Sequence, residues 1–145
     1  MLFSRRDLAP LLSMLGIENA APQEIKPRPV LTGKLYDLNS LPVRASADGS
    51  SKAVSFFNGL TTRGQHLSVH MTELAPGKEP HPPSRQPHEE IIIVTEGTLE
   101  VTINGQTSTA APGSVLYSAY NDLKGWKNVG SSPARYYVVA LEEHS

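Results

Sequence analysis

Residues Glu89–Gln106 read EEIIIVTEGTLEVTINGQ, and this stretch decides the architecture. Ile91 to Val94 is a continuous apolar run of strand length, the pattern of a strand covered on both faces. The Thr95–Thr98 segment TEGT then breaks the run as a turn. Leu99, Val101 and Ile103 alternate with polar residues, so they share one face of a second strand. Asn104-Gly105 follows, a pair that tolerates the positive φ angles of a tight hairpin turn. Working outward, His66–Leu74 (HLSVHMTEL) alternates strictly, with Leu67, Val69 and Met71 on one face and His66, Ser68, His70 and Thr72 on the other. Arg135–Leu141 (RYYVVAL) is a second continuous run. Turn signals APGK, APGS and VGSSP separate these segments. Many short strands at this spacing predict an all-β sandwich or barrel.

The remaining composition narrows the function. A chain of 145 residues holds one ordinary domain, and a net charge of -1 with acids and bases well mixed offers no footprint for nucleic acid. With no cysteine, disulfides, thiolate metal sites and a Cys nucleophile are excluded. Any metal would need His and carboxylate ligands. The start of the chain differs from the rest. Ser4-Arg5-Arg6 precedes an apolar run from Leu8 to Ile17, which suits a twin-arginine export leader and a periplasmic destination. The same residues suit a short amphipathic helix capped by Ser4 in a cytoplasmic protein. The run is about half the ~20 residues a membrane span needs, so no stable membrane anchor is expected. Ala21–Pro29, with prolines at 22, 27 and 29, reads as extended linker. The expected organisation is a leader and linker over 1–29 and a barrel domain over 30–145.

From about Leu74 to Leu141 the chain resembles a small single-domain cupin, of the conserved-barrel type. Gly77, Glu90 and Gly97 match the glycine, glutamate and closing glycine of that family's first motif, with six residues between Glu90 and Gly97. Gly105, Pro112-Gly113 and Asn128 match the second motif, and NDLKGWKNVGSSPARYYVV resembles the closing segment. The resemblance implies a double-stranded β-helix, or jelly roll, similar to RmlC. It also implies a homodimer, for which the apolar strands could supply a surface. In metal-binding members, two His and the Glu of the first motif and a His of the second hold one divalent metal. Carried across, these positions are Ser84, Gln86, Glu90 and Lys124, of which only Glu90 is a competent ligand.

Two site readings follow. In one, Lys124 is a tethered cation that neutralises Glu90 where the metal would sit, with Gln86 and Ser84 completing a polar patch in the lumen. Ile92, Tyr117 and Trp126 are then candidates to line the same pocket, and no cofactor is required. In the other, His81, His88 and Glu90 form a displaced two-His-one-carboxylate set for iron, manganese, zinc or nickel. That set would serve a metal-dependent enzyme of dioxygenase or isomerase type. His66 and His70 are read as packing residues, and His144, at the C-terminus, as irrelevant. The function expected is a metal-free barrel binding a small molecule in its lumen. A metal-dependent enzyme and a degenerate dimeric scaffold stand as the alternatives.

Overall fold

The computed structural model describes residues 26–143. The twin-arginine leader, its alternative as a capped helix, and His144 therefore lie outside the described residues. Ten strands follow a single 3-10 turn, Leu38–Ser40, capped by the Asp37 side chain, which accepts from Asn39 N. The strands are β1 (Arg44–Ala45), β2 (Ser51–Leu60), β3 (His66–Leu74), β4 (Ser84–Arg85) and β5 (Glu89–Glu96). They continue as β6 (Leu99–Ile103), β7 (Gln106–Ala110), β8 (Val115–Ser118), β9 (Leu123–Asn128) and β10 (Ala134–Glu142). No α-helix occurs among the described residues.

The strands form two antiparallel sheets, one of order β1-β2-β3-β10-β5-β8 and one of order β4-β9-β6-β7. This is the jelly-roll barrel that the sequence pattern and the resemblance predict. The β6–β7 hairpin turns on Asn104 and Gly105, at φ 49 and 83, as the Asn-Gly pair demands. The core fills the space between the sheets: Ile92 and Val94 from β5, Leu99 and Val101 from β6, Trp126 from β9, and Tyr136 and Val138 from β10.

One expectation changes. Ile91–Val94 and the β10 run are not buried on both sides. In β5, Ile92 and Val94 are buried while Ile93 is 36% exposed, and β10 alternates between buried and half-buried positions. The outer face of this sheet is apolar without being covered along β5, and a run of isoleucines reads the same in either case. The sense of β3, left open by its alternation, is set by its pairing with β10. Its polar row faces inward: Thr72 lies opposite Tyr136 and His70 opposite Val138, both core residues of β10. Met71, on the other face, pairs with Val54 and shares an outer pocket with Leu38, Leu41 and Val43.

Asn128, fully buried, locks the closing turn. Its amide donates to the carbonyls of Leu74 and Ser132 at 3.0 and 2.9 Å, and its carbonyl accepts from Gly130 N at 2.9 Å. Gly97 is a steric requirement. It sits at φ +77, and a Cβ there would stand 2.7 Å from the Ala134 Cα. Gly97→Ala is therefore expected to lower unfolding free energy by about 2 kcal/mol, from left-handed strain plus a backbone clash, measured by urea denaturation.

Candidate functional site

Glu90 is the second residue of β5 and projects from its inner face, as do Ile92 and Val94. Lys124 projects inward from β9, where it registers against Ser84 of β4 on one side and Ile103 of β6 on the other. The two sheets thus deliver the carboxylate and the ammonium to one point in the lumen. Lys124 Nζ lies 2.6 Å from Glu90 Oε2, with the lysine side chain 1% exposed and the glutamate 13%. Apart from each other, these two atoms have no hydrogen-bond partner among the described residues. The other carboxylate oxygen contacts His88 Nε2 at 2.8 Å. Gln86 Nε2 donates to Ser84 Oγ at 3.1 Å beside this group.

Burial by itself would push the Glu90 carboxyl up; the Lys124 hydrogen bond, then that of His88, and the charges of both outweigh it and hold the carboxyl below its ordinary value. A closely paired, ionised Glu90 is the result. His70, from the inward polar row of β3, belongs to the same neighbourhood. Burial lowers the pKa of its imidazole, and the Glu90 charge opposes that shift. The Tyr136 hydroxyl is pushed up to about 12, mainly by burial. Trp126 packs edge-on against the Tyr136 ring, centroids 5.7 Å apart.

The sequence-derived positions sort as follows. Glu90 and Lys124 meet in the lumen, joined by His88, while Ser84 registers opposite Lys124 on β4 and bonds to Gln86. Ile92 lines a cavity, and Trp126 is a core residue. Tyr117 does not face the lumen: it is 56% exposed on the outer face of β8, where its hydroxyl donates to Glu89 Oε1 at 2.5 Å. Its register opposite Ile91 rather than Ile92 turns it outward. His81 also stands apart from His88 and Glu90. The proline-stiffened loop before β4 holds it exposed, with Nδ1 against the Pro82 carbonyl and its ring edge-on to Trp126 at 6.1 Å. Among the described residues, no three or more His, Asp or Glu side chains are grouped to hold a metal.

A metal at the position implied by the resemblance does not fit these residues. The ammonium of Lys124 is a cation with no lone pair to donate, and it already fills the approach to Glu90. Ser84 and Gln86 are engaged with each other.

Thr72 and Tyr136 join the inner polar wall without having been singled out from sequence, beside His70, which was read there as a packing residue. The alternation of β3 was the available signal, since it gathers His66, Ser68, His70 and Thr72 on one face. Which face turns inward is set by the pairing of β3 with β10. His66, at the far end of that row, is engaged with Asn58, Glu142 and Arg28, which ties the N-terminal segment to the end of β10.

Next to the ion pair the lumen opens into a cavity of about 580 Å³. Ile92, Val94, Val101, Ile103 and Leu116 form its floor, and Gln106, Ser108, Thr109 and Ser114 contribute polar groups. Glu90 and Lys124 adjoin this space through their neighbours Ile92 and Ile103 but do not line it.

Comparison with known proteins agrees with this architecture. The family model described as a cupin domain matches residues 70–140. A sugar phosphate isomerase of the cupin superfamily from Silicibacter pomeroyi superposes with a TM-score of 0.63 at 19% identity, covering 76% of each chain. The polyketide cyclase RemF from Streptomyces resistomycificus gives 0.61 at 18% identity, over 77% of this chain and 81% of that one. A predicted oxalate decarboxylase from Thermotoga maritima gives 0.61 at 12% identity, over 76% of this chain and the whole of the other. Among curated sequences, none matches. At these identities the structures share a fold with this chain.

The site makes stability depend on pH in two stages. The folded His70 pKa lies below the unfolded value near 6.5, so acidification through that value protonates the unfolded chain first and stability falls. The folded Glu90 pKa is also depressed, so its contribution is complete above the unfolded value near 4.5 and is lost as pH falls through the lowered one. Urea midpoints recorded from pH 8 to pH 3 are expected to decline in both windows. His70→Gln should flatten the upper decline and leave the lower one in place.

Proposed function

We propose that this chain, which carries a small domain of the cupin superfamily, is a small-molecule-binding barrel that works without a metal. The observation that carries this reading is the 2.6 Å contact between Lys124 and Glu90, placed where the resemblance puts the metal. A buried carboxylate needs a counter-charge, and in this lumen a covalently tethered ammonium supplies it. The pair keeps the polar end of the barrel in one charge state while the adjoining cavity takes the ligand. A volume of about 580 Å³ falls within the range typical of ligand pockets, ~300–1,000 Å³. The cavity favours binding over a purely structural role. The isomerase, cyclase and decarboxylase names of the superposing structures describe varied chemistry on one fold, so the fold itself selects none of them. We propose also that the chain pairs with a second copy through the apolar outer face of the larger sheet, where Ile93, Val115 and Tyr117 are exposed together.

Elemental analysis of untagged protein after exposure to iron, manganese, zinc and nickel tests the central claim. The expected result is far below one metal per chain. The triple variant Ser84→His, Gln86→His, Lys124→His is expected to bind close to one equivalent, because it removes the ammonium and restores lone pairs at the same point. Near-stoichiometric metal on the unaltered chain, lost on His81→Ala or His88→Ala, would overturn the reading. Lys124→Met should cost about 3 kcal/mol of stability by stranding the Glu90 charge, and Glu90→Gln in the same chain should recover part of it, as read by urea unfolding.

A further inference from the structure

The cavity and the ion pair divide the lumen, and that division points to the class of ligand and to its route. Charge comes first. None of the residues lining the cavity is ionisable at neutral pH, and its floor is aliphatic. The charged side chains nearest the floor, Glu90 and Lys124, are already spent on each other. A carboxylate or phosphate placed over Ile92, Val94 and Val101 would lose its hydration and meet no compensating cation. An uncharged, largely apolar body loses nothing there and gains by burial.

Access is the second constraint. At the lumen end occupied by Lys124, the way in is filled: the lysine side chain is 1% exposed and that of Glu90 13%. The His81 ring lies against Trp126. The cavity opens elsewhere. β7 is the last strand of the smaller sheet and β8 the last of the larger, and no ladder joins them. Ser108 and Thr109 of β7 and Val115 and Leu116 of β8 border the cavity at this seam. Each edge strand also presents backbone N–H and C=O groups that no neighbouring strand engages, suited to a hydroxyl or carbonyl at one end of a ligand.

We infer that the barrel takes an uncharged, predominantly apolar small molecule bearing a hydroxyl or carbonyl at one end, and loads it sideways through the seam between β7 and β8. This rests on the small-molecule-binding reading above and specifies its ligand class.

The test uses the neutral fluorophore N-phenyl-1-naphthylamine at pH 8, competed by 1-decanol and by decanoate, which share a chain and differ in charge. Saturable binding near one probe per chain, displaced at least tenfold more effectively by decanol, is expected. Leu116→Trp, which fills the cavity at the seam, should weaken probe binding at least tenfold. Ser108→Lys, at an exposed position opposite Val101, should bring decanoate into effective competition while the fold is kept, as judged by circular dichroism. Decanoate displacing the probe as well as decanol does from the unaltered chain would overturn the ligand class and leave the binding reading standing. Undiminished binding in a folded Leu116→Trp variant would overturn the seam as the route and site. Failure of probe, alcohol and carboxylate alike to bind would overturn the inference, whereas metal independence is judged separately by the elemental analysis.

Discussion

The contact between Lys124 and Glu90 is the constraint around which the lumen is arranged. Taking two unit charges out of water costs several kcal/mol for each ion, and attraction at close range offsets this only when geometry is good and the remaining polar atoms are supported. Here the geometry is short, at 2.6 Å, and His88 holds the second carboxylate oxygen. The pair spans the two sheets, β5 in one and β9 in the other. It therefore acts as a cross-tie whose worth lies as much in fixing how the sheets face one another as in net stability. A hydrophobic pair of similar volume would fill the space but would not specify the register.

From this tie the rest of the interior follows. Polar side chains collect around it: His70 and Thr72 from β3, Tyr136 from β10, Ser84 and Gln86 near β4. Toward β6 and β8 the interior becomes aliphatic, and there the barrel is not closed. The polar half is compact and the apolar half is hollow. In a jelly roll whose lumen held a metal, the polar end would be the place for substrate to meet it. In this chain the ammonium occupies that place, and the open volume lies beside it.

The outer surface of the larger sheet shows a related economy of pattern. Ile91, Ile93, Tyr137 and Val139 turn outward on β5 and β10, whereas the segment before β1 lies against β2 and β3, near Met71 and Val54 and, through Tyr36, against Phe57. Apolar residues thus lie on both faces of β5, with only one of those faces fully enclosed. That is why a continuous run of isoleucines there carries no information about which side is the core.

Periodicity and turn chemistry were enough to place β3, β5, β6 and β10, because side-chain alternation and the Asn-Gly turn are local properties of the chain. The motif positions pointed to Glu90 and Lys124, which lie in contact, and the loss of ligand character at Ser84, Gln86 and Lys124 was plain from residue type alone. What local pattern could not supply was direction. The inward turn of His70 and Thr72, the outward turn of Tyr117, and the separation of His81 from His88 each depend on pairing between strands or loops far apart in sequence. A shift of one residue in register exchanges the two faces of a strand, and only the assembled sheets choose between them. The cavity at the β7–β8 seam is likewise a property of two edges that meet in space without bonding, so no single stretch of sequence contains it.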